Sequence, residues 1–168
     1  ERIEKAKIAF KENLTKIKDE NKKASAEKII NTIQELNTKL TDQLSAKIDQ
    51  IENVLVSIES RVYKAESKDV DVSSVKDQIT KAKEAISQAR EAINEQSKKV
   101  YTTEITSENT LKSEMTALRD IFKKEIRTTS DSVKTAHVAV KTVSTTLAKI
   151  PNIDNDEIEA PITKDINN

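Results

Sequence analysis

A chain of 168 residues that is 35% hydrophobic and 35% charged, with two Phe and two Tyr as its only aromatic residues, lacks the apolar volume for one thick globular core. With no Gly and only two Pro it has few tight turns, so its elements are long, and loops that cradle phosphates or dinucleotides on Gly are excluded. The 29 basic and 29 acidic residues cancel, which argues against a nucleic-acid partner, and the absence of Cys excludes disulfides and thiol chemistry.

Low hydrophobicity with high charge is also a mark of disorder, but here the charges of both signs interleave and the apolar residues keep a helical period. From Ile33 to Val62 they stand at Ile33, Leu36, Leu40, Leu44, Ile48, Ile51, Leu55, Ile58 and Val62, in steps of three or four. The three consecutive steps of four from Leu36 to Ile48 depart from a heptad and predict nearly straight packing there. Upstream, Ile3, Phe10, Leu14 and Ile17 continue a stripe with no Pro or Gly between, which predicts one first helix over about residues 2–66, roughly 95 Å long. Its weakest stretch is Asp19 to Ser25, where polar residues dominate.

Residues 67–74 interrupt the stripe with short polar and β-branched residues, and Asp71 is a fitting N-cap for the next helix. That helix, expected over 72–105, carries Val75, Ile79, Ala82, Ile86, Ala89, Ile93 and Val100 in a seven-residue repeat broken at Gln96 and Ser97. A Thr- and Ser-rich stretch predicts a second turn near Thr106–Asn109. A third helix over 109–150 then carries Leu111, Met115, Leu118, Phe122, Ile126, Val133, Val140, Val143, Leu147 and Ile150, and stops at Pro151.

Short connections make successive helices antiparallel neighbours, so the expected fold is all-α, an elongated antiparallel three-helix bundle or coiled coil over 29–150. Residues 1–28 then form an amphipathic overhang continuous with the first helix. Residues 151–168, with one basic and five acidic residues, form an acidic linker or tail.

The segments IESRV (58–62), KDVDVSSV (68–75), KAKEAISQAREAI (81–93) and TAHVAVKTVSTTLAKI (135–150) together resemble a group of uncharacterised exported helical, coiled-coil proteins of uncultured, reduced-genome bacterial lineages. The resemblance spans about two thirds of the chain and implies an extracytoplasmic location: periplasmic, secreted or at the cell surface. It implies no activity. This chain departs from the group's usual turn by lacking Gly, which leaves an Asp or Ser to take any left-handed position at greater cost. The sequence opens at Glu1 without an initiator Met, as does a chain whose leader has been removed.

Chemistry finds little to stand on. His137 is the sole His, set between Ala136 and Val138, and one imidazole makes neither a nucleophilic triad nor a zinc site. Asp154, Asp156, Glu157 and Glu159 lack the Gly and the spacing of a calcium loop, and Tyr63 and Tyr101 are too far apart in the chain to form a base-stacking platform. No enzyme, cofactor or metal is therefore expected, and no small-molecule substrate. The segment bearing Ile3, Phe10, Leu14 and Ile17 among Lys5, Lys7, Lys11, Lys16 and Lys18 is the candidate interaction surface. Pairing with another helix, in a protein partner or a second copy, is the favoured use, and lying on an anionic membrane is the alternative. The expected function is that of a structural or interaction protein of the cell envelope, a spacer, scaffold or self-associating rod. A membrane-surface or apolar-ligand binding module is the alternative.

Overall fold

The computed structural model describes residues 2–151, without the side chains of Arg2, Ile3 and Lys7. The structure is all-helical, with 81% helix, and four helices pack together with no strand among the described residues. They are α1 (Arg2–Leu14), α2 (Glu20–Glu66), α3 (Ser73–Ser97) and α4 (Leu111–Leu147).

The first helix is not continuous. Thr15 turns its hydroxyl back to the Glu12 carbonyl (2.6 Å), and Asp19 adopts an extended backbone whose carboxylate accepts the N–H groups of Asn21 (2.9 Å) and Lys22 (3.2 Å). That is an N-cap, and it starts a new helix in the polar stretch where the stripe is weakest. Burial makes the break favourable. By reversing direction, the chain lays Phe10, Leu14 and Ile17 against α2 and α4 and leaves each at most 3% exposed. An unbroken helix would have left that face in water. The expected overhang over 1–28 is therefore corrected: from residue 2 onward α1 folds back along the start of α2.

The 67–72 turn falls where expected. With no Gly available, Asp69 takes the left-handed conformation (φ 60°). The N-cap of α3 is Val72 rather than the expected Asp71, which stands one residue earlier and accepts the N–H (3.0 Å) and hydroxyl (2.7 Å) of Ser73, and these bonds draw its carboxyl below the ordinary value of 3.8. Replacing Asp69 with Gly relieves the left-handed strain, and urea denaturation is expected to show a gain of about 0.5–1 kcal/mol.

Ion pairs fix the directions. Lys76 pairs with Glu66, Lys83 with Glu59 (2.5 Å), and Arg90 with Glu52 and Asp49 (2.6 Å to Asp49), so α3 runs back along α2. Successive clefts are walled by Ala26 with Met115, Leu40 with Ile126, and Ile51 with Val140, so α4 runs in the same direction as α2. The α2, α3 and α4 helices each pack on the other two.

The helix expected to reach residue 105 stops at Ser97. Residues 98–110 continue without helix, and the β-branched Thr102, Thr103, Ile105 and Thr106 favour that form. The segment buries Tyr101 and Ile105 and is tied to the α1–α2 link: Lys16 donates to the Ile105 carbonyl (3.1 Å), and Glu108 accepts the Lys18 N–H (3.0 Å) and pairs with Lys22 (2.6 Å). Where α3 ends, this segment and α1 cover α2 and α4. The last helix lies within a few residues of expectation, and the expected tail lies outside the described residues beyond Pro151.

The core is consequently two apolar clusters in line. One joins Ile48–Ala65 of α2 to α3 and to Val133–Leu147 of α4, and the other joins α1, Ala26–Ile33, Tyr101, Ile105 and Leu111–Phe122.

Candidate functional site

Between the clusters lies a buried polar layer. Asn37 is fully buried, with Thr41 and Gln96 at 2% exposure and Thr129 at 4%. The Gln96 amide donates to the Asn37 side-chain oxygen (2.8 Å) and to the Tyr101 hydroxyl (2.6 Å), while Asn37 donates to the Gln96 carbonyl (3.0 Å). Asn37 thus shares with the Lys99 N–H (3.1 Å) a carbonyl at the end of α3 that has no partner one turn on within the helix. Tyr101 donates to Glu125 (2.6 Å), whose other oxygen pairs with Lys99 (2.9 Å), and its ring meets Phe122 edge-on at 5.1 Å. Thr41 and Thr129 turn their hydroxyls to carbonyls of their own helices. These groups are mutually satisfied, so the layer fixes the register of α2, α3 and α4.

Its charges give it a pH response. Burial, aided by the bond to Glu125, raises the Tyr101 phenol well above its ordinary 10. Burial pushes Glu125 up, but the bonds from Tyr101 and Lys99 prevail and hold it below 4.5. A phenol raised in the folded state contributes stability that is present below pH 10 and lost as the pH rises further. A carboxylate lowered in the folded state contributes stability that is present above pH 4.5 and lost as the pH falls through its folded value. Thermal melts across pH should therefore fall on both sides of that window, and Tyr101→Phe should flatten the alkaline limb while costing about 1–3 kcal/mol at neutrality.

The α2–α4 face differs. The buried line of α2 runs Ile30, Ile33, Asn37, Thr41, Ile48, one residue away from the leucines of the sequence stripe. Leu36 is consequently 41% exposed, and Leu40 and Leu44 are only partly covered. With Ile29, Ile126 and the half-exposed Val54 they floor a chain of clefts between α2 and α4. Neighbouring clefts share wall residues, and the largest has a volume of about 610 Å³. Nine Lys or Arg line these clefts against one acidic residue, Glu108, which is already paired with Lys22. Across the α2–α3 face the charges are matched acid to base.

Of the expected interaction residues, Phe10, Leu14 and Ile17 are withdrawn into the second apolar cluster, and the Ile3 side chain lies outside those described. Phe10, Leu14 and Ile17 therefore do not form an exposed surface. His137 is exposed on a wall of the groove, Tyr63 is exposed, Tyr101 is buried, and Asp154, Asp156, Glu157 and Glu159 fall outside the described residues. No three His, Asp or Glu side chains among the described residues gather to hold an ion, and no described helix is long and apolar enough to cross a membrane. Sequence reasoning missed the polar layer and the groove. Their signals were the break at Gln96, the polar Asn37 and Thr41 between leucines, and the basic excess of the last helix, eight Lys or Arg against four acids over 109–150. Comparison with known proteins places no neighbour beside this chain: no family model matches it, and neither does any curated protein or solved structure.

Proposed function

We propose that this chain is a non-enzymatic structural or interaction protein of the cell envelope, an elongated three-helix rod with heptad packing along α3 that works as a spacer or scaffold. The observation that carries this reading is the α2–α4 groove, where Leu36 and Val54 are exposed and Ile29, Leu40, Leu44 and Ile126 are only partly covered along one continuous line of clefts. An apolar strip between polar rims is the usual mark of a surface that binds another macromolecule. The partner is a protein, either foreign or a second copy. The envelope location is supported by the resemblance to exported helical proteins. A membrane surface is the weaker alternative, because burial of Phe10, Leu14 and Ile17 removes the face that would have entered the lipid.

A photo-crosslinking amino acid placed at Leu40, with Tyr63 as the control position, tests the reading in cells of the source organism. A discrete protein adduct from position 40 and none from position 63 is expected. No adduct from position 40 sinks the proposal.

A further inference from the structure

Resting on that reading, we propose that the α2–α4 groove takes one class of occupant, an acidic amphipathic helix supplied by a partner protein. Shape is the first argument. The floor is concave and walled by two helices running in the same direction, so a flat lipid surface does not reach it, whereas a third helix laid between the two does. Leu36, Leu40 and Leu44 stand four residues apart on α2 and form the ridge that a packed helix takes into its own groove. From Leu111 to Ser144 the groove extends about 50 Å, so it accepts some thirty residues of helix.

Charge is the second argument and selects the sign. Lys28, Lys47, Lys112, Arg119, Arg127 and Lys141 line the clefts and have no carboxylate partner among the described residues. Cations on both walls repel across the floor, whereas across the α2–α3 face the charges pair acid to base. Glu or Asp on the flanks of an entering helix would neutralise both rims at once, and Leu or Ile on its inner face would cover the floor, the helix-in-groove mode of recognition. A cationic helix meets repulsion on both sides. Nucleic acid would satisfy the rims and leave the apolar floor without a partner, since neither Tyr63 nor Tyr101 reaches the groove.

The test uses the full chain and two synthetic, fluorescein-labelled helical peptides of about thirty residues, both with Leu at heptad positions a and d. One has Glu and the other Lys at the flanking positions. Fluorescence anisotropy should show the Glu peptide binding, with affinity falling as salt rises, and the Lys peptide binding about tenfold or more weaker. Reversing two rim charges, Arg119→Glu with Lys123→Glu, should weaken the Glu peptide by about tenfold and strengthen the Lys peptide. Both positions are exposed, so circular dichroism of the variant should match that of the parent. Equal binding of the two peptides, or no effect of the reversal, overturns the assignment of charge. Binding of phosphatidylglycerol vesicles or of single-stranded DNA in place of the Glu peptide overturns the assignment of a protein helix. If the Glu peptide binds only after Asp154, Asp156, Glu157 and Glu159 are changed to Asn or Gln, the chain's own acidic segment is the occupant, and the foreign partner is overturned. Each of these failures leaves the crosslink from position 40 standing, so the loss of this inference is distinguishable from the loss of the proposed function.

Discussion

Leu55→Asp is expected to cost several kcal/mol, enough to leave the protein largely unfolded at ambient temperature, because total stabilities are typically about 5–15 kcal/mol. Leu55 is 1% exposed in the cluster shared by α2, α3 and α4, and a carboxylate there meets only aliphatic neighbours. The substitution removes a packed side chain and buries an unpaired charge together, and neither loss relieves the other. His137→Ala serves as the contrast. Its side chain is exposed on the wall of the groove, and the change should stay within about 1 kcal/mol. Urea denaturation followed by circular dichroism orders the two, and a reversed order would mean that the cluster around Leu55 is not the principal core.

Phe10→Ala should cost about 3–5 kcal/mol, the usual range for emptying a buried aromatic site. Phe10 is 3% exposed, and with Leu14 and Ile17 it forms the contribution of α1 and its link to the second cluster among the described side chains. Had residues 1–28 projected into solvent, the same change would register almost nothing, so the measurement separates a folded-back α1 from an overhang. Leu14→Ala should behave alike. Lys11→Ala, on an exposed position of the same helix, should be nearly silent. A cost below about 1 kcal/mol for Phe10→Ala would mean that α1 detaches in solution.

The helical class and the positions of the long elements were legible because they depend on local periodicity, and a period of three and four survives any tertiary arrangement. The 67–72 turn was legible because the stripe breaks there, and the lack of Gly left the left-handed position to an Asp or Ser, of which Asp69 takes it. What was hidden depends on partners. The stripe from Ile3 to Ile17 looked continuous with α2 because no Pro or Gly marks Asp19, and only the burial gained by reversal favours the break over one more helical turn. The leucine stripe at Leu36, Leu40 and Leu44 pointed to a seam, and Asn37 and Thr41 looked like its polar flank. The structure exchanges these roles, because Gln96, sixty or so residues downstream and itself bonded to Tyr101, offers Asn37 hydrogen bonds that no leucine can use. A single sequence does not reveal such a pairing. The exposure of Leu36, and with it the groove, follows from this one displacement.

Because α2 and α4 point one way and α3 the other, their peptide dipoles do not cancel in threes. Each helix end carries roughly half an elementary charge, so two positive ends gather near Glu20 and Leu111, against the short α1's opposing tail, and two negative ends gather near Glu66 and Leu147 against the start of α3. A molecule with equal numbers of positive and negative side chains therefore still has an electrical front and back. Two such molecules set end to end would meet with opposite backbone charge when nose faces tail and with like charge when nose faces nose, as a pair of arrows would, before any side chain at the tips takes part.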